Sequence, residues 1–514
     1  MATITYYFNS KSSDWENDPE NMIDGDIDTD SNSEVNEEIE LLNGNECAGA
    51  DLGDITKVEI RAHGWVSGGA GYLRLIPVFG GSDDGDNHSC DFYAEGWSSY
   101  IDITSDTNAS DWDAWTDIQN LDCKAQNIIN GGRPYVSKVE IRVTYTPSFT
   151  SKATGNWDSE GESTWNEPGH PIAGSSVTIQ NGHTITLDSA AACTNLTIDS
   201  GGALTDATNN QGLTVSYRTL VSGTLTCGTA AMSFGSAVMI MTTVLEIKAG
   251  GTFVGGSGAH TIGALSCETA TSTCTMTSGT CTFDGSDSGN NIIISSDSTF
   301  AHNDGTIILT YSADLDIDTQ SLYNLTLNQA GITFLNKDLT IANDFTITAG
   351  TFNSKEDGGA THNLTIGGNL SNAGTFSAYD SLVTLNGTGQ SLTGSWTFWS
   401  LTKSVAAADT LTFDNTGTYT FGGNVTLNGM AGELLSIVTE SAGDAFNFTM
   451  NEAAVKTNLE YLSVKDSDAS DSHADHKPIE PTDSTDVSGN TDWFSGGEAS
   501  VKDMSQAILN TYYY

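Results

Sequence analysis

Short strand phrases that recur at intervals of 21 to 28 residues constrain this chain more than any other feature of its sequence. A first phrase is polar–apolar–Thr–apolar, and its copies begin at Asn195, Asn324, Asp338, Asn363 and Asn424. A second phrase begins with glycine, and its copies start at Gly202, Gly223, Gly251, Gly279, Gly350 and Gly374. A period of this length without helical periodicity is typical of a solenoid.

A parallel β-helix explains the repeat in physical terms. One coil of two or three short strands cannot bury its inward Leu, Ile, Val and Phe side chains, so stacked coils pair backbone to backbone and share one core. Glycine and asparagine supply the turns. Leucine-rich repeats have a similar length, but their fixed Leu and Asn/Cys pattern is missing. Residues 174–465 predict about 12 coils and, at roughly 4.8 Å per coil, a rod of about 60 Å.

The first 147 residues have a different pattern of apolar and turn-forming residues. Dense or alternating apolar runs lie at 4–8, 55–62, 72–79, 100–104 and 136–145, between turns rich in Gly, Asn and Asp. In the last run Val139, Ile141 and Val143 alternate with polar residues, which is the period of a half-buried strand. Several such strands without helical periodicity predict a β-sandwich or jelly roll.

These two sequence patterns predict an all-β chain in four parts. Residues 1–147 form the sandwich, and the polar, strandless stretch Thr146–Gly155 contains a linker at 148–155. Residues 156–494 form a right-handed parallel β-helix. In the tail, 495–514, three apolar residues (Val501, Met504 and Ile508) share one helical face, which predicts a short C-terminal helix.

Two stretches of the first part resemble discoidin-like (F5/8 type C) domains. The segment Glu20–Thr29, with its Asn-Met-Ile-Asp-Gly-Asp core, is similar to the first motif of that family, and Ala50–Arg61 is similar to its Asp-Leu-Gly strand. The resemblance covers roughly 45 residues. It implies a jelly-roll sandwich whose loops bind glycans or other surface ligands.

A longer resemblance begins where the second part starts. Residues 155–187, with Asn156-Trp157, Thr164-Trp165 and the run Val177-Thr-Ile-Gln-Asn-Gly-His-Thr-Ile-Thr-Leu187, resemble the start of bacterial-surface and phage β-helix modules. The later phrases resemble filamentous adhesin repeats, and the segment from Asn458 to Trp493 looks like a last coil. This resemblance implies an elongated adhesive or presenting shaft, in which trimers are common and catalysis is rare.

The charge balance excludes several classes of partner. The chain has 18 Lys+Arg against 66 Asp+Glu and a formal net charge of −48. Such a surface repels phosphate and anionic lipid, so we expect no nucleic acid and no membrane insertion. No window is apolar enough to span a bilayer, and the N-terminus predicts no secretory signal. The eight cysteines show no zinc-site spacing and are expected to be buried free thiols in a reducing compartment.

An acidic turn near the N-terminus has the spacing of a calcium site. Its candidate ligands are Asp24, Asp26, Asp28, Asp30 and Glu37. Alternating carboxylates match part of an EF-hand loop, although Ser31 stands where that loop needs glycine. Calcium is therefore the one cofactor that the sequence suggests. The alternative is a solvated cluster of Asx turns.

Three tryptophans in segments rich in Asp and Ser are candidate glycan-binding residues. They are Trp97, Trp112 and Trp115, whose rings could stack on the apolar faces of sugars. The alternative places them in the core of the sandwich, where tryptophan is more often found.

Nothing in the sequence identifies a catalytic centre. Parallel β-helices include lyases and glycosidases, but basic residues are scattered through the second part, and no facing carboxylate pair can be recognised. No nucleophile, metalloprotease or phosphate-binding motif occurs. We therefore predict no catalytic residues and no enzymatic activity.

The sequence leads to a structural and adhesive protein. The leading hypothesis is a fibre, spike or decoration protein on a virion surface, assembled as a homotrimer with other virion proteins and bound to a glycan of the host surface. A secreted bacterial or archaeal cell-surface adhesin is the alternative, and a polysaccharide depolymerase is the third. Binding would be multivalent, with weak contacts multiplied by copy number.

Overall fold

A computed structural model describes residues 2–49, 51–92, 94–159, 163–167, 169–235, 244–285 and 290–495. The described chain is almost entirely β-structure, as predicted, and forms two compact units. The first holds 2–151 with parts of 163–178 and 192–194; the second holds 152–158, 179–191 and 195–495. The predicted C-terminal helix falls on 496–514, outside the described residues. No helix in the described ranges is long and apolar enough to span a membrane.

The first unit is a β-sandwich-like arrangement of two antiparallel sheets. Its elements are β1 (Ala2–Tyr7), a 3₁₀ turn (Pro19–Met22), β2 (Ile39–Leu42), β3 (Gly53–Val66), β4 (Tyr72–Phe79), β5 (Asp83–Asp84), β6 (His88–Cys90), β7 (Gly96–Trp97), β8 (Ile101–Asp102), α1 (Trp115–Gln119), β9 (Asp122–Ile128) and β10 (Pro134–Thr150). One sheet is β1–β10–β3 with β7 and β8 on the far side of β3. The other is β2–β9–β4, to which β5 and β6 add.

Alternation along the strands builds the core of this unit. Val58, Ile60, Val139, Ile141 and Val143 are fully buried, and the polar residues between them point to the other side of the sheet. The strand interpretation of these runs is confirmed. The apolar run at 100–104 contributes only the two-residue strand β8.

The prediction of a strandless stretch from Thr146 to Gly155 is wrong over its first half. Strand β10 continues to Thr150, because Ser148–Thr150 pairs in parallel with the strand Ser176–Ile179 and Phe149 is buried, 7% exposed. The ring of Phe149 meets Trp165 edge to face at 6.3 Å. The polar composition of this stretch did not indicate that Phe149 is buried or that Ser148–Thr150 pairs with another strand.

The second unit is a parallel β-solenoid of about 13 turns, close to the predicted number. The first stack of strands consists of two seven-stranded parallel sheets. One is Gly155–Asn156, Thr184–Thr186, Ala203–Thr205, Thr224–Thr226, Thr252–Val254, Thr273–Thr275 and Thr299–Ala301, and the other is Ser321–Leu322, Leu339–Ile341, Leu364–Ile366, Leu382–Leu385, Ser400–Ser404, Asn424–Asn428 and Val455–Glu460. Four long strands bend through a corner and serve both other stacks: Ala191–Ile198, Leu213–Val221, Asn324–Leu335 and Phe345–Asn353.

The remaining strands complete these two stacks. The second stack adds Met232–Phe234, His260–Ile262, Thr280–Phe283, Thr306–Leu309, Leu370–Asn372, Ser391–Gly394, Asp409–Phe413, Leu435–Thr439, Leu462–Lys465 and Thr485–Ser488. The third adds Leu245–Ile247, Leu265–Cys267, Asn290–Ile294, Asp314–Ile317, Thr375–Ser377, Trp396–Phe398, Thr418–Phe421, Phe446–Met450 and Ser467–Asp468. A 3₁₀ turn lies at Ala474–His476.

The polar residue of the first phrase joins neighbouring coils. The Oδ1 atom of Asn363 accepts a hydrogen bond from the backbone N–H of Leu382 at 2.9 Å. The N–H of Asn363 itself donates to Oδ1 of Asp338 at 2.8 Å. Each of these side chains therefore satisfies a backbone donor at the turn of the next coil, which explains why Asn and Asp open the phrase.

The glycine of the second phrase is required by close approach between coils. A Cβ atom at Gly223 would lie 2.2 Å from the carbonyl oxygen of Gly202, and one at Gly374 would lie 2.5 Å from that of Gly350. In both cases the obstructing residue is the phrase glycine of the preceding coil. Any side chain here would push the coils apart.

A buried lysine is the centre of a hydrogen-bonded cluster that spans three coils. Lys403 is fully buried, and its Nζ atom lies 2.8 Å from Oδ2 of Asp409, 2.8 Å from the carbonyl oxygen of Gly387 and 3.0 Å from Oε1 of Gln390. Gln390 in turn donates to the carbonyl oxygen of Ile366 at 3.0 Å. Burial alone would raise the pKa of Asp409, but the hydrogen bond from Lys403 and two backbone N–H groups hold it below its usual range.

We predict that Lys403→Met destabilises the solenoid by about 3–5 kcal/mol, because the Asp409 carboxylate loses its buried cation. Lys337→Met, which removes an exposed lysine of the same unit, should change the free energy of unfolding by less than about 1 kcal/mol. Urea unfolding followed by far-UV circular dichroism measures both. Equal midpoints for the two variants would contradict a stabilising role for the Lys403 cluster.

Candidate functional site

A repeated pentapeptide builds an unusual surface on the first sheet of the sandwich. Lys-Val-Glu-Ile-Arg occurs at 57–61 in β3 and again at 138–142 in β10. The two strands are antiparallel, and Ile60 lies opposite Ile141 in the buried layer. On the other side of the sheet Arg61 therefore lies opposite Glu140 and Arg142 opposite Glu59. Opposite charges directly across a ladder stabilise the pairing of the strands.

We call this surface the aromatic–charged face. It consists of Tyr7, Lys57, Glu59, Arg61, His63, Trp97, Tyr100, Asp102, Lys138, Glu140 and Arg142. Of these residues, only Trp97 is a candidate predicted from the sequence. The repeated pentapeptide is the signal that would have revealed the face, because two copies in antiparallel strands pair Arg with Glu twice.

The two glutamates are buried but fully paired. Glu59 is 4% exposed and lies 2.6 Å from Nη2 of Arg142 and 2.7 Å from Nζ of Lys57. Glu140, 2% exposed, accepts short hydrogen bonds from Nε of Arg61 and from the hydroxyl of Tyr100. Burial opposes ionisation of Glu59, but the bonds from Lys57 and Arg142 outweigh it and lower its pKa. Burial and then the Glu140 carboxylate raise the pKa of Tyr100, so that the phenol keeps its proton.

The guanidinium groups also fix the aromatic rings. The Cζ atom of Arg61 lies 4.2 Å from the centre of the Trp97 ring and 4.1 Å from that of Tyr100. Cζ of Arg142 lies 3.4 Å from the Tyr100 ring. These distances are those of cation–π contacts. Trp97 and Tyr100 are both partly exposed, so the face presents two aromatic rings in fixed positions next to charged hydrogen-bonding groups.

A chain of contacts joins two residues that the sequence assigned to different sites. Trp97 meets the ring of His63 edge to face at 5.2 Å, and Nδ1 of His63 lies 3.2 Å from Oγ of Ser137. Ser137 donates to Oδ1 of Asp30 at 2.9 Å, and Nε1 of Trp65 donates to Oδ2 of the same carboxylate at 2.8 Å. Asp30 thus belongs to the border of the aromatic–charged face.

The prediction of sugar stacking is wrong for Trp112 and Trp115, which lie in the hydrophobic core. They are 5% and 3% exposed, and their indole N–H groups donate to backbone carbonyl oxygens of Thr104 and Gly53. Trp112 packs on Phe79, with ring centres 5.8 Å apart. Asp111 and Asp113 beside them are exposed, while the indoles point inward.

The structure does not bring the five predicted calcium ligands together. Oδ1 of Asp24 accepts from the N–H of Asp26 at 2.8 Å, and Oδ1 of Asp26 accepts from that of Asp28 at 2.9 Å, which is the alternative of successive Asx turns. Asp30 is held by Trp65 and Ser137, and Glu37 occupies a turn with φ 67°. In the ranges that the structure describes, no three His, Cys, Asp or Glu side chains converge to hold a metal ion.

All eight cysteines are buried and free, as the sequence predicted. Burial raises the pKa of Cys90 to about 11. Such a thiol stays protonated at neutral pH and is a poor nucleophile.

The solenoid carries a polar cleft that no sequence motif predicted. It has a volume of about 280 Å³ and is lined by Asp314, Asp316, Asn336, Lys337, Glu356 and Asp357. Asp314 and Asp316 alternate with buried Leu315 and Ile317, so both carboxylates point outward from one strand. Burial and then Asp357 raise the pKa of Asp314; burial raises that of Asp316, and Lys337 offsets part of the effect.

Comparison with known proteins adds one family. Residues 164–244 match the G8 domain, a segment that includes the first coils of the solenoid. No curated protein and no solved structure matches the chain. The discoidin and phage-module resemblances therefore stay predictions.

We predict that chelation leaves the stability of the sandwich unchanged, because three of the five candidate carboxylates, those of Asp24, Asp26 and Asp30, already accept protein hydrogen bonds. The thermal midpoint of the full chain should agree within about 1 °C with EDTA and with millimolar calcium. A rise of the thermal midpoint with calcium would instead support the site that the sequence suggested, provided that Asp26→Asn abolishes the rise. The control, Asp83→Asn on the exposed strand β5, should leave it in place.

Proposed function

We propose that the protein is a non-enzymatic adhesive protein, in which the aromatic–charged face binds neutral glycans and the solenoid acts as the structural shaft. The observation that carries this proposal is the pair of partly exposed rings, Trp97 and Tyr100, held by Arg61 and Arg142 beside paired carboxylates. Sugars present apolar C–H faces and a rim of hydroxyls. Such a ligand needs a fixed ring and neighbouring hydrogen-bonding groups.

Charge favours neutral over anionic glycans. The chain carries a net charge of −48, which repels sulfated or uronate-rich polymers at long range. The cations of the face do not compensate, because Arg61, Arg142 and Lys57 are already paired with Glu140 and Glu59, and Lys138 is buried over the Tyr7 ring. Placement on a virion or a cell surface and assembly as a trimer belong to this proposal through the sequence resemblances alone.

We predict that Trp97→Ala weakens binding to immobilised neutral oligosaccharides at least about tenfold, because an anchoring aromatic residue commonly contributes about 1.4 kcal/mol or more. Tyr72→Ala, which removes a partly buried ring from the other sheet, is the matched control and should bind like the wild type. A glycan array of the full chain, with sialylated counterparts of each neutral glycan, measures the effect. Unchanged binding by the Trp97 variant would overturn this assignment.

A second candidate function, hydrolysis of a polysaccharide, is favoured by the cleft of the solenoid. A glycosidase needs one carboxylic acid with a raised pKa and a second carboxylate that stays ionised. Asp314 and Asp316 have raised pKa values, and Glu356 and Asp357 line the same cleft. The two pairs of carboxylates come from coils that are separated by one further coil, which contributes Asn336 and Lys337 to the cleft.

For this candidate we predict release of reducing ends from a neutral polysaccharide, at a rate that Asp316→Asn lowers at least about 100-fold, since general acid–base catalysis contributes about 10²–10⁴. Asp297→Asn, an exposed carboxylate elsewhere on the solenoid, is the control. If the wild-type chain releases no reducing ends from a panel of polysaccharides, hydrolysis is excluded and binding remains.

A further inference from the structure

A tryptophan on the solenoid rests against two glycines with its other side open to solvent. Trp399 lies at the corner between the strands Trp396–Phe398 and Ser400–Ser404, and it is 39% exposed. A Cβ atom on Gly422 would lie 2.8 Å from Cε3 of the indole, and one on Gly423 would lie 2.7 Å from Nε1. Both rings of the indole therefore contact the two glycines of the next coil.

The backbone ladder fixes this arrangement. Leu401 pairs with Val425, so Trp399 stands in register with Gly423, whose N–H donates to the carbonyl oxygen of Trp399 at 2.6 Å. The N–H of Gly422 donates to Phe398 at 3.0 Å. Neither glycine has a positive φ. These two positions therefore require glycine because a side chain would overlap with the indole of Trp399, and not because of their backbone conformation.

A second exposed ring lies at the same corner of the preceding coil. Tyr379 is 51% exposed and precedes the strand Leu382–Leu385, which pairs with Ser400–Ser404. The N–H of Ser400 donates to the carbonyl oxygen of Ser381 at 3.1 Å, which aligns the two corners. Nζ of Lys355 lies 5.2 Å from the Tyr379 ring, and Asp380 accepts a short hydrogen bond from Thr361.

These residues form what we call the corner platform: Tyr379, Trp399, Gly422 and Gly423. Lys355 and the hydrogen-bonded pair Thr361–Asp380 adjoin Tyr379. Beyond Gly423 the next coil adds an exposed valine, Val455, whose N–H donates to the carbonyl oxygen of Gly423 at 2.9 Å. Protein partners require a larger continuous apolar patch, and a net charge of −48 disfavours anionic polymers and anionic lipid. A flat ring with a polar border suits the C–H face and the hydroxyl rim of a neutral sugar.

We propose that the corner platform is a second glycan-binding site, which takes a neutral polysaccharide chain running across successive coils. Trp399 and Tyr379 stack on sugar rings of the chain. Asp380 and Lys355 lie where they can bind its hydroxyl groups. The proposal rests on the proposed adhesive function but on residues separate from the aromatic–charged face, so each site can fail without the other.

The proposal is tested by affinity electrophoresis of the full chain. Each gel contains one neutral polysaccharide: a glucan, a xylan, a mannan or a galactan. We expect at least one polymer to retard the wild type. Trp399→Ala should lower its affinity about tenfold or more. Gly423→Ala, which displaces the indole, should lower it as well. Tyr311→Ala removes another ring of the solenoid that is 51% exposed and should have no effect.

Trp97→Ala, run in parallel, separates the two sites. Retardation that survives Trp97→Ala and is lost with Trp399→Ala establishes the corner platform, even if the aromatic–charged face binds nothing. The proposal is overturned if no polysaccharide retards the wild type, or if Trp399→Ala migrates like Tyr311→Ala in every gel. Far-UV circular dichroism and the thermal midpoint verify that each variant folds. Capture of a protein instead of a polysaccharide would also count against it.

Discussion

Parallel pairing between the backbones of neighbouring coils is the interaction on which the rest of the solenoid depends. It holds successive coils about 4.8 Å apart, and everything at the surface has to fit that spacing. Gly223 and Gly374 are glycines because the preceding coil approaches closer than any Cβ atom allows. Asn363 and Asp338 occupy turns where a side-chain oxygen satisfies the N–H of the next coil. The same spacing lets Trp399 lie across Gly422 and Gly423.

The acidity of the chain has a local structural cause. In the solenoid, aspartates accept hydrogen bonds from backbone N–H groups, as Asp414 does from Gly394 at 2.9 Å, and no cation is needed for such a bond. Burial would raise the pKa of Asp414, but the backbone N–H groups of Thr416 and Gly394 lower it. In the sandwich, by contrast, Glu59 and Glu140 are buried against arginines. Both roles occur in both units, because Asp24 and Asp26 accept backbone N–H groups in the sandwich and Asp409 pairs with the buried Lys403 in the solenoid.

The three candidate tryptophans show that the local sequence does not specify which side chains reach the surface. Trp97, Trp112 and Trp115 have similar polar neighbours in the sequence, yet only Trp97 lies on an outer surface. Its strand pairs with β3 opposite His63, and this places its ring beside Arg61. Trp112 lies in a loop and Trp115 is the first residue of α1, and both side chains are part of the core. Which side of a sheet a residue takes is set by its partner strand, and the local sequence does not specify that partner.

The sequence by itself determined that the chain is all-β, that a solenoid follows a sandwich, and the approximate number of coils, because these properties follow from periodicity and from turn residues. It also contained the pentapeptide at 57–61 and 138–142. Only the tertiary structure decided that these copies pair with Ile60 opposite Ile141. It also decided that Asp30 accepts hydrogen bonds from Trp65 and Ser137. The same holds for Tyr379 and Trp399, which lie at the same corner of neighbouring coils. Contacts between residues far apart in the chain depend on register, and register is fixed when the whole core is buried at once.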